Sequence, residues 1–374
     1  MAIYIHELKD WPHFGWNHAA LQRKLAAVRN RQGRLTGRME ELGFKTRSEA
    51  NLEALTEEVT KSSEIEGEIL NRDQVRSSIA RRLGVDIGAL TPADSKVEGV
   101  VEMLLDATAN YQVPLTSERL FGWHAALFPT GRSGMTRITV GHWRTDATGP
   151  MQVVSGPIGH ERVHYQAPGA AALPAQMQMF IDWFNAGQDL DPVLKAGIAH
   201  LWFVTIHPFD DGNGRIARAI ADMQLARSEQ SSQRFYSMSA QIRQDRNAYY
   251  AILEATQKGD LDITAWLAWF LDCLDRAFDH AETVLASVLR RARFWKLHAG
   301  EAFNDRQRMM IDRLFDGFEG KLNSSKWAQL AKCSQDTALR DIDDLVARGV
   351  LTKDAPGGRS TSYSLIERGR ERDR

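Results

Sequence analysis

The chain has 374 residues, with 47 Lys and Arg against 48 Asp and Glu, a formal net charge of -1, 43% hydrophobic and 25% charged residues. That length predicts two or three domains, and the composition excludes a mainly disordered or fibrous chain. Balanced charge argues against coating nucleic acid by bulk electrostatics, and two cysteines, Cys273 and Cys333, cannot build a disulfide framework or a four-cysteine zinc site.

The start, MAIYIHELKDWPHF, carries acids and no apolar run, so it does not read as a secretory signal. The most apolar stretch, residues 196–209, is interrupted by His200, Thr205 and His207 and is too short to span a bilayer. No membrane contact is expected, and a cytoplasmic location is the default. Trp11, Phe14 and Trp16 read as an aromatic packing cluster ahead of a long helical pattern. There Leu21, Leu25, Val28, Leu35, Met39 and Leu42 fall at helical spacing. A second helix is expected at about 48–67, with Leu52, Leu55, Val59 and Ile65 facing inward.

Helical patterns return at 97–109 and 117–129. Between 131 and 164 the character changes. RITVGHWRTD (137–146) and MQVVSG (151–156), separated by ATGP, predict a β-hairpin or flap at about 136–156. Helical spacing resumes at about 173 and runs to about 300, with Trp266, Trp269, Phe270, Cys273, Leu274 and Phe278 on one face of the last helix. The tail is expected to be a separate module. Asn304 and Gln307 form a capping box for a helix through Leu314 and Phe315, and SSKWAQLAKCS is a short helix ending near Cys333. Ser334 caps a helix carrying Ala338, Ile342, Leu345 and Val346. Two strand-like pieces, VLTKD and STSYSLI, follow around APGGR. Short helices, a tight turn and a hairpin predict a winged helix-turn-helix. The expected regions are therefore 1–95, 96–300 and 301–374.

The chemistry concentrates in HPFDDGNGRIAR, residues 207–218. Its flanks are helical, but Pro208, Gly212, Asn213 and Gly214 force a tight loop, with a new helix starting near Gly214 or Arg215. Glycines let successive N–H groups converge, and the helix N-terminus adds its positive end, which makes a nest suited to phosphate. Arg215 and Arg218, about one turn apart, can bracket a polyphosphate. The loop is not a Walker A loop, because GxxxxGK[ST] is absent. An acid in such a nest is repulsive unless a cation intervenes, so Asp211 is a candidate Mg²⁺ ligand. His207 is the natural general base, a role that contributes roughly 10²–10⁴-fold in rate. The set suggests attack by a hydroxyl on a nucleotide phosphorus. His200, two helical turns before His207, reads as a core or helix-surface histidine.

This segment resembles the Fic family signature, HPFxxGNGRxxR, without departure. The resemblance implies transfer of AMP from ATP to a Ser, Thr or Tyr hydroxyl of a target protein, the chain itself included. It makes His207 the base, Asp211 the holder of Mg²⁺, Gly212, Asn213, Gly214 and Arg215 the phosphate cradle, and Arg218 the contact to the γ-phosphate. Ser62-Ser-Glu-Ile-Glu66-Gly67 resembles the family's inhibitory motif, [S/T]xxxE[G/N]. By that likeness Glu66 pairs with Arg218 and autoinhibits; Glu64 and Glu68 are neighbours without the motif's spacing. The flap resembles a strand that holds the target by main-chain pairing, with Val153 and Val154 near its centre. Asn247, Tyr249 and Tyr250 resemble positions that border the nucleoside.

The expected fold class is mainly α: a Fic-type helical core with a short β-hairpin flap, plus a C-terminal winged-helix module. The layout resembles a bacterial Fic subgroup with an N-terminal helical region. The expected partners are ATP and a protein presenting a hydroxyl, while a homodimer, and DNA through residues 321–366, are left open. For DNA, Lys326, Lys332, Arg340, Arg348, Lys353 and Arg359 are available for phosphates. Against it, Asp336, Asp341, Asp343 and Asp344 lie in the helix that would enter the major groove, and winged helices also serve protein contact and dimerisation. The alternatives are a nucleotide-sensing transcriptional regulator and a Fic enzyme that removes AMP with Glu66 orienting a water. An intact His207, which a sensor does not need, favours the enzyme.

Overall fold

The apolar spacing of the first region forms α1 (His18–Glu40) and α2 (Phe44–Ile65), followed by α3 (Arg72–Leu83). Leu21, Val28, Leu35 and Met39 of α1, and Leu52, Leu55, Val59 and Ile65 of α2, are all buried. The computed structural model describes residues 4–366 apart from 89, 148, 158–159, 188, 316–317, 319 and 355–360. The chain divides into two units, Met1–Glu282 and Thr283–Arg374.

The first unit continues with α4 (Ser95–Ala109) and α5 (Ser117–Leu127), then β1 (Arg132–Ser133), β2 (Thr136–Arg137), β3 (Gln152–Ser155) and β4 (Arg162–Gln166). It closes with α6 (Leu173–Asn185), α7 (Pro192–Ile206), α8 (Asn213–Glu229), α9 (Met238–Gln244), α10 (Arg246–Gln257) and α11 (Thr264–Leu297), in which the division falls. Asp191 caps α7 by accepting from Val193 N–H at 2.8 Å, and Pro192 at the first position is pre-set for a helix. Every residue from Val193 to Ile206 is buried. A helix buried on all sides belongs at the centre of the core, and α7 packs on α8 and α6. Truncating Phe203, fully buried there, would destabilise by about 3–5 kcal/mol. Trp11 and Phe14 pack edge-on against Trp202 of α7 at 6.3 and 5.8 Å, whereas Trp16 sits apart beside His18.

The hairpin is not the one expected. MQVVSG does form a strand, β3, but its antiparallel partner is β4, Val153 opposite Tyr165 and Ser155 opposite Arg162. Beyond Arg137, residues 138–146 form no strand, because Arg144 is buried and bonds across the chain to the carbonyls of His207 and Pro168. RVHYQ reads as polar, yet Tyr165 is 1% exposed and donates its hydroxyl to Thr205 O at 2.6 Å, anchoring β4 to α7.

The second unit contains α12 (Asp305–Phe315), α13 (Ser324–Leu330), α14 (Gln335–Ala347), β5 (Leu351–Lys353) and β6 (Tyr363–Leu365), the last two antiparallel. Met310, Ile311, Trp327, Ala338, Ile342, Leu345, Val350 and Leu351 form its core. The capping box is reciprocal: Gln307 N–H donates to Asn304 Oδ1 at 2.9 Å, and Asn304 N–H to Gln307 Oε1 at 3.1 Å. Ser334 caps α14 through Thr337 N–H at 3.2 Å. The expected turn APGGR, with Arg359, lies outside the described residues.

Candidate active site

The loop begins where α7 ends. His207 takes a left-handed conformation (φ 52°), and Pro208, which lacks an N–H, cannot continue the helix. At the other end Gly212 has φ 81°, which only glycine adopts freely, and a Cβ there would meet the Phe128 ring at 2.9 Å. Between them, Asn213 satisfies both polar groups around Phe209: its Oδ1 accepts Phe209 N–H at 3.0 Å and its Nδ2 donates to Phe209 O at 2.8 Å. Asn213 thus spends its side chain on the loop's shape. Phe209 is fully buried and stacks on His124 at 4.2 Å. Gly141 N–H donates to His124 Nδ1, so Nε2 carries the proton given to Asp211 O at 3.2 Å. Burial holds that imidazole neutral, with its pKa lowered to about 4.

His207 is held as a neutral imidazole. Burial of its ring lowers its pKa to about 4, against the Val204 carbonyl, Glu66 and Asp211, which favour protonation, and with a smaller push from Arg144. Nδ1 lies 3.2 Å from Val204 O. A neutral ring that donates there leaves its lone pair on Nε2. Arg144 braces the ring's backbone from behind: its own N–H donates to Pro208 O at 2.9 Å, and its Nε to His207 O at 2.8 Å.

The acids and arginines form two pairs. Arg218, 2% exposed, meets Glu66 Oε1 at 2.8 Å and donates to Ser62 Oγ and Ser62 O at 2.9 Å. Burial alone would lower the pKa of this guanidinium; Glu66 outweighs it and raises it. Arg215 donates to Glu68 Oε2 at 2.7 Å and lies 5.1 Å over the Phe128 ring. A Cβ on Gly214 would collide with the Glu66 carboxylate, so that acid rests directly on the nest. Arg218 Nη1 and Arg215 Nε, both buried, lack hydrogen-bond partners among the described residues. Two orphaned guanidinium donors beside a nest suit an anion with several oxygens. Asp211 accepts Gly212 N–H at 2.5 Å on Oδ1 and the Ser133 hydroxyl on Oδ2, while Asp210 turns away to Thr139 N–H.

The structure therefore brings together His207, Asp211, Gly212, Asn213, Gly214, Arg215 and Arg218 with Ser62 and Glu66 of α2; Gly67 (φ 85°) ends that helix. Val153 and Val154 stand exposed on β3. Tyr249 is buried with its hydroxyl 2.9 Å from His200 Nε2, so both belong to the core, and burial pushes the phenol's pKa up and the imidazole's down to about 3. Tyr250 is more open, 3.5 Å from Ile65 O, with Arg246 over its ring. Sequence reasoning missed three contributors. Glu68 follows Glu66 by two residues in EIEGE, and its only signal was acidity. Arg144 was hidden in a segment that read as a strand, and Ser133 in a stretch given no element.

Comparison with known proteins places these features. Residues 114–225 match the Fic/DOC family, and residues 4–85 match a domain of unknown function (DUF4172). The chain is 28% identical over 234 residues to "Protein adenylyltransferase Fic" of Drosophila willistoni, covering 62% of this chain and 42% of that protein. It is 28% identical over 262 residues to the protein of the same name in Drosophila yakuba, covering 69% and 48%. It thus spans less than half the length of these curated relatives. A crystal structure of a Fic family protein from Desulfovibrio desulfuricans G20 superposes with a TM-score of 0.53 at 20% identity, covering 94% of this chain and 97% of that one, and so shares the fold. Residues 114–225, which include the loop from His207 to Arg218, therefore form a stretch of this chain that matches the Fic/DOC family.

Proposed function

We propose that the chain is a protein adenylyltransferase, moving AMP from ATP to a Ser, Thr or Tyr hydroxyl of a target protein, and that it stands here in an autoinhibited form. The observation that carries this reading is the occupant of the nest: Glu66 covers Gly214 and pairs with Arg218 at 2.8 Å. A carboxylate there opposes a triphosphate by charge and by volume, and it holds the guanidinium that would meet the terminal phosphate. With Glu66 displaced, Arg218, Arg215 and the N–H groups at the start of α8 bind the phosphates. His207 Nε2 then takes the proton of the target hydroxyl as that oxygen bonds to the α-phosphorus and pyrophosphate leaves. The exposed β3, carrying Val153 and Val154, offers main-chain groups for pairing with a target segment.

Mg²⁺ fits this site as an ion carried in with the nucleotide. Such ions take one or two carboxylates plus substrate phosphates and water. Asp211 offers one hard oxygen donor with Ser133 beside it, and no cluster of three or more His, Cys, Asp or Glu exists among the described residues. Bound there, Mg²⁺ would neutralise phosphate charge. The test is incubation of the chain and its Glu66→Gly variant with labelled ATP and Mg²⁺. Labelling of the chain or of a lysate protein that depends on His207 supports the reading; none in either protein sinks it.

For the second unit we propose a winged helix. Of the acids in α14 that argue against DNA, Asp341 accepts from Arg306 at 2.7 Å and Asn304 at 2.9 Å, and Asp344 from Gln307 at 2.8 Å. These two are engaged within the unit, while Asp336 and Asp343 stay exposed. A gel shift against the chain's own upstream DNA over a salt series decides whether it binds DNA.

A further inference from the structure

Away from the Fic loop, a second set of side chains is arranged for nucleophile chemistry. Ser155, the last residue of β3, places Oγ 2.6 Å from Nε2 of His164 on β4. The other ring nitrogen of His164, Nδ1, lies 2.6 Å from Oε2 of Glu254 on α10. Glu254 is ionised: hydrogen bonding from Lys258, then His164 and Arg162, outweighs its partial burial and holds its pKa down at about 2. An ionised carboxylate only accepts, so Nδ1 carries a proton, and in the neutral ring the Nε2 lone pair faces the serine hydroxyl. Hydroxyl, base and orienting acid therefore follow one another in the order that activates a nucleophile.

The surroundings select the electrophile. Ser155 is exposed, and the hairpin register sets it opposite Arg162, whose side chain is 70% exposed. An accessible guanidinium beside the hydroxyl favours an anionic phosphorus centre over a neutral acyl group.

We propose that Ser155 is a nucleophile of this chain, activated by His164 and oriented through Glu254, and that it accepts a nucleotidyl group from a nucleoside triphosphate. In the step, Ser155 Oγ bonds to the α-phosphorus and its proton passes to His164 Nε2. The bond from that phosphorus to the oxygen bridging the β-phosphate breaks, and pyrophosphate leaves with the electron pair. The donor rests on the adenylyltransferase reading; the activation of Ser155 does not. A nucleotide at Ser155 stands next to Val154, on the strand offered to targets, so self-modification would close the flap to them.

The experiment has two arms on the full chain. In the first, an alkyl fluorophosphonate is added and the peptide containing Ser155 is followed by mass spectrometry. The expected result is an adduct at Ser155 whose rate falls about 10²–10⁴-fold in His164→Ala and less in Glu254→Gln. No adduct at Ser155, or an unchanged rate in His164→Ala, overturns the nucleophile. In the second, Glu66→Gly is incubated with ATP and Mg²⁺, and AMP is expected on Ser155 but not when His164→Ala is added. AMP on other hydroxyls and none on Ser155 overturns the proposed self-modification and leaves the adenylyltransferase reading standing. No AMP on any residue, alongside a fluorophosphonate adduct, overturns the donor and that reading together.

Discussion

The Fic loop and the flap hairpin are short neighbours held in opposite ways. The loop is fixed from inside: Asn213 closes it through Phe209, His124 supports Asp211 O, and buried Arg144 braces His207 and Pro208. The flap is anchored at one buried residue, Tyr165, and otherwise by pairs at the surface, Arg162 and His164 to Glu254. The chemistry proposed for this chain, which needs sub-ångström placement, would stand on the buried, over-determined segment. Under the proposed function, the strand that would pair with a target stands on the weakly held one, where the target's own backbone would complete the pairing.

The largest expected effect falls on the loop. In a Glu66→Gly background, His207→Ala should lower the rate of AMP transfer about 10²–10⁴-fold, measured with labelled ATP. A smaller loss would mean that positioning alone carries the catalysis. The pH profile sharpens the same point. With a pKa near 4, His207 is neutral through the physiological range, so the transfer rate should hold down to about pH 5, where an ordinary imidazole would already be mostly charged. The same shift enters stability: between pH 6.5 and about 4 the unfolded chain binds a proton that the folded one does not, so stability falls as pH falls through that window. Glu66 favours the charged ring, so its removal should move the acid limb no higher.

Arg144→Met asks how far the brace holds the loop. It orphans the carbonyls of His207 and Pro168, and urea unfolding should show a loss of about 2–4 kcal/mol. Arg162→Ala makes the opposite test on the flap. That pair is largely exposed, so stability should change by about 0.5 kcal/mol or less, while amides of β4 exchange faster with deuterium. Equal losses in the two variants would remove the contrast between loop and flap.

The same contrast explains what could be read from the sequence. The loop was legible because its features are local: Pro208, Gly212 and Gly214 dictate the turn, and His207, Arg215 and Arg218 lie within twelve residues. The helices were legible from spacing, as α2 shows with Leu52, Leu55, Val59 and Ile65. The flap's second strand was not. RVHYQ carries no run of apolar residues, and what anchors it as a strand is the distant contacts of Tyr165, to Thr205, Tyr4 and His6. Glu68 escaped for the same reason, since its meaning depends on Arg215, 147 residues away. Contacts between segments remote in sequence leave no spacing to read.

We propose, above all, that Glu66 occupies the place of a triphosphate. The most direct measurement is calorimetric titration of ATP with Mg²⁺ into the chain and into Glu66→Gly, paired with mass spectrometry of both after incubation. At least about tenfold tighter binding is expected in the variant, the effect of removing about 1.4 kcal/mol of repulsion, together with AMP on a hydroxyl side chain. Equal ATP affinity in the two proteins, with no AMP on either, would contradict it.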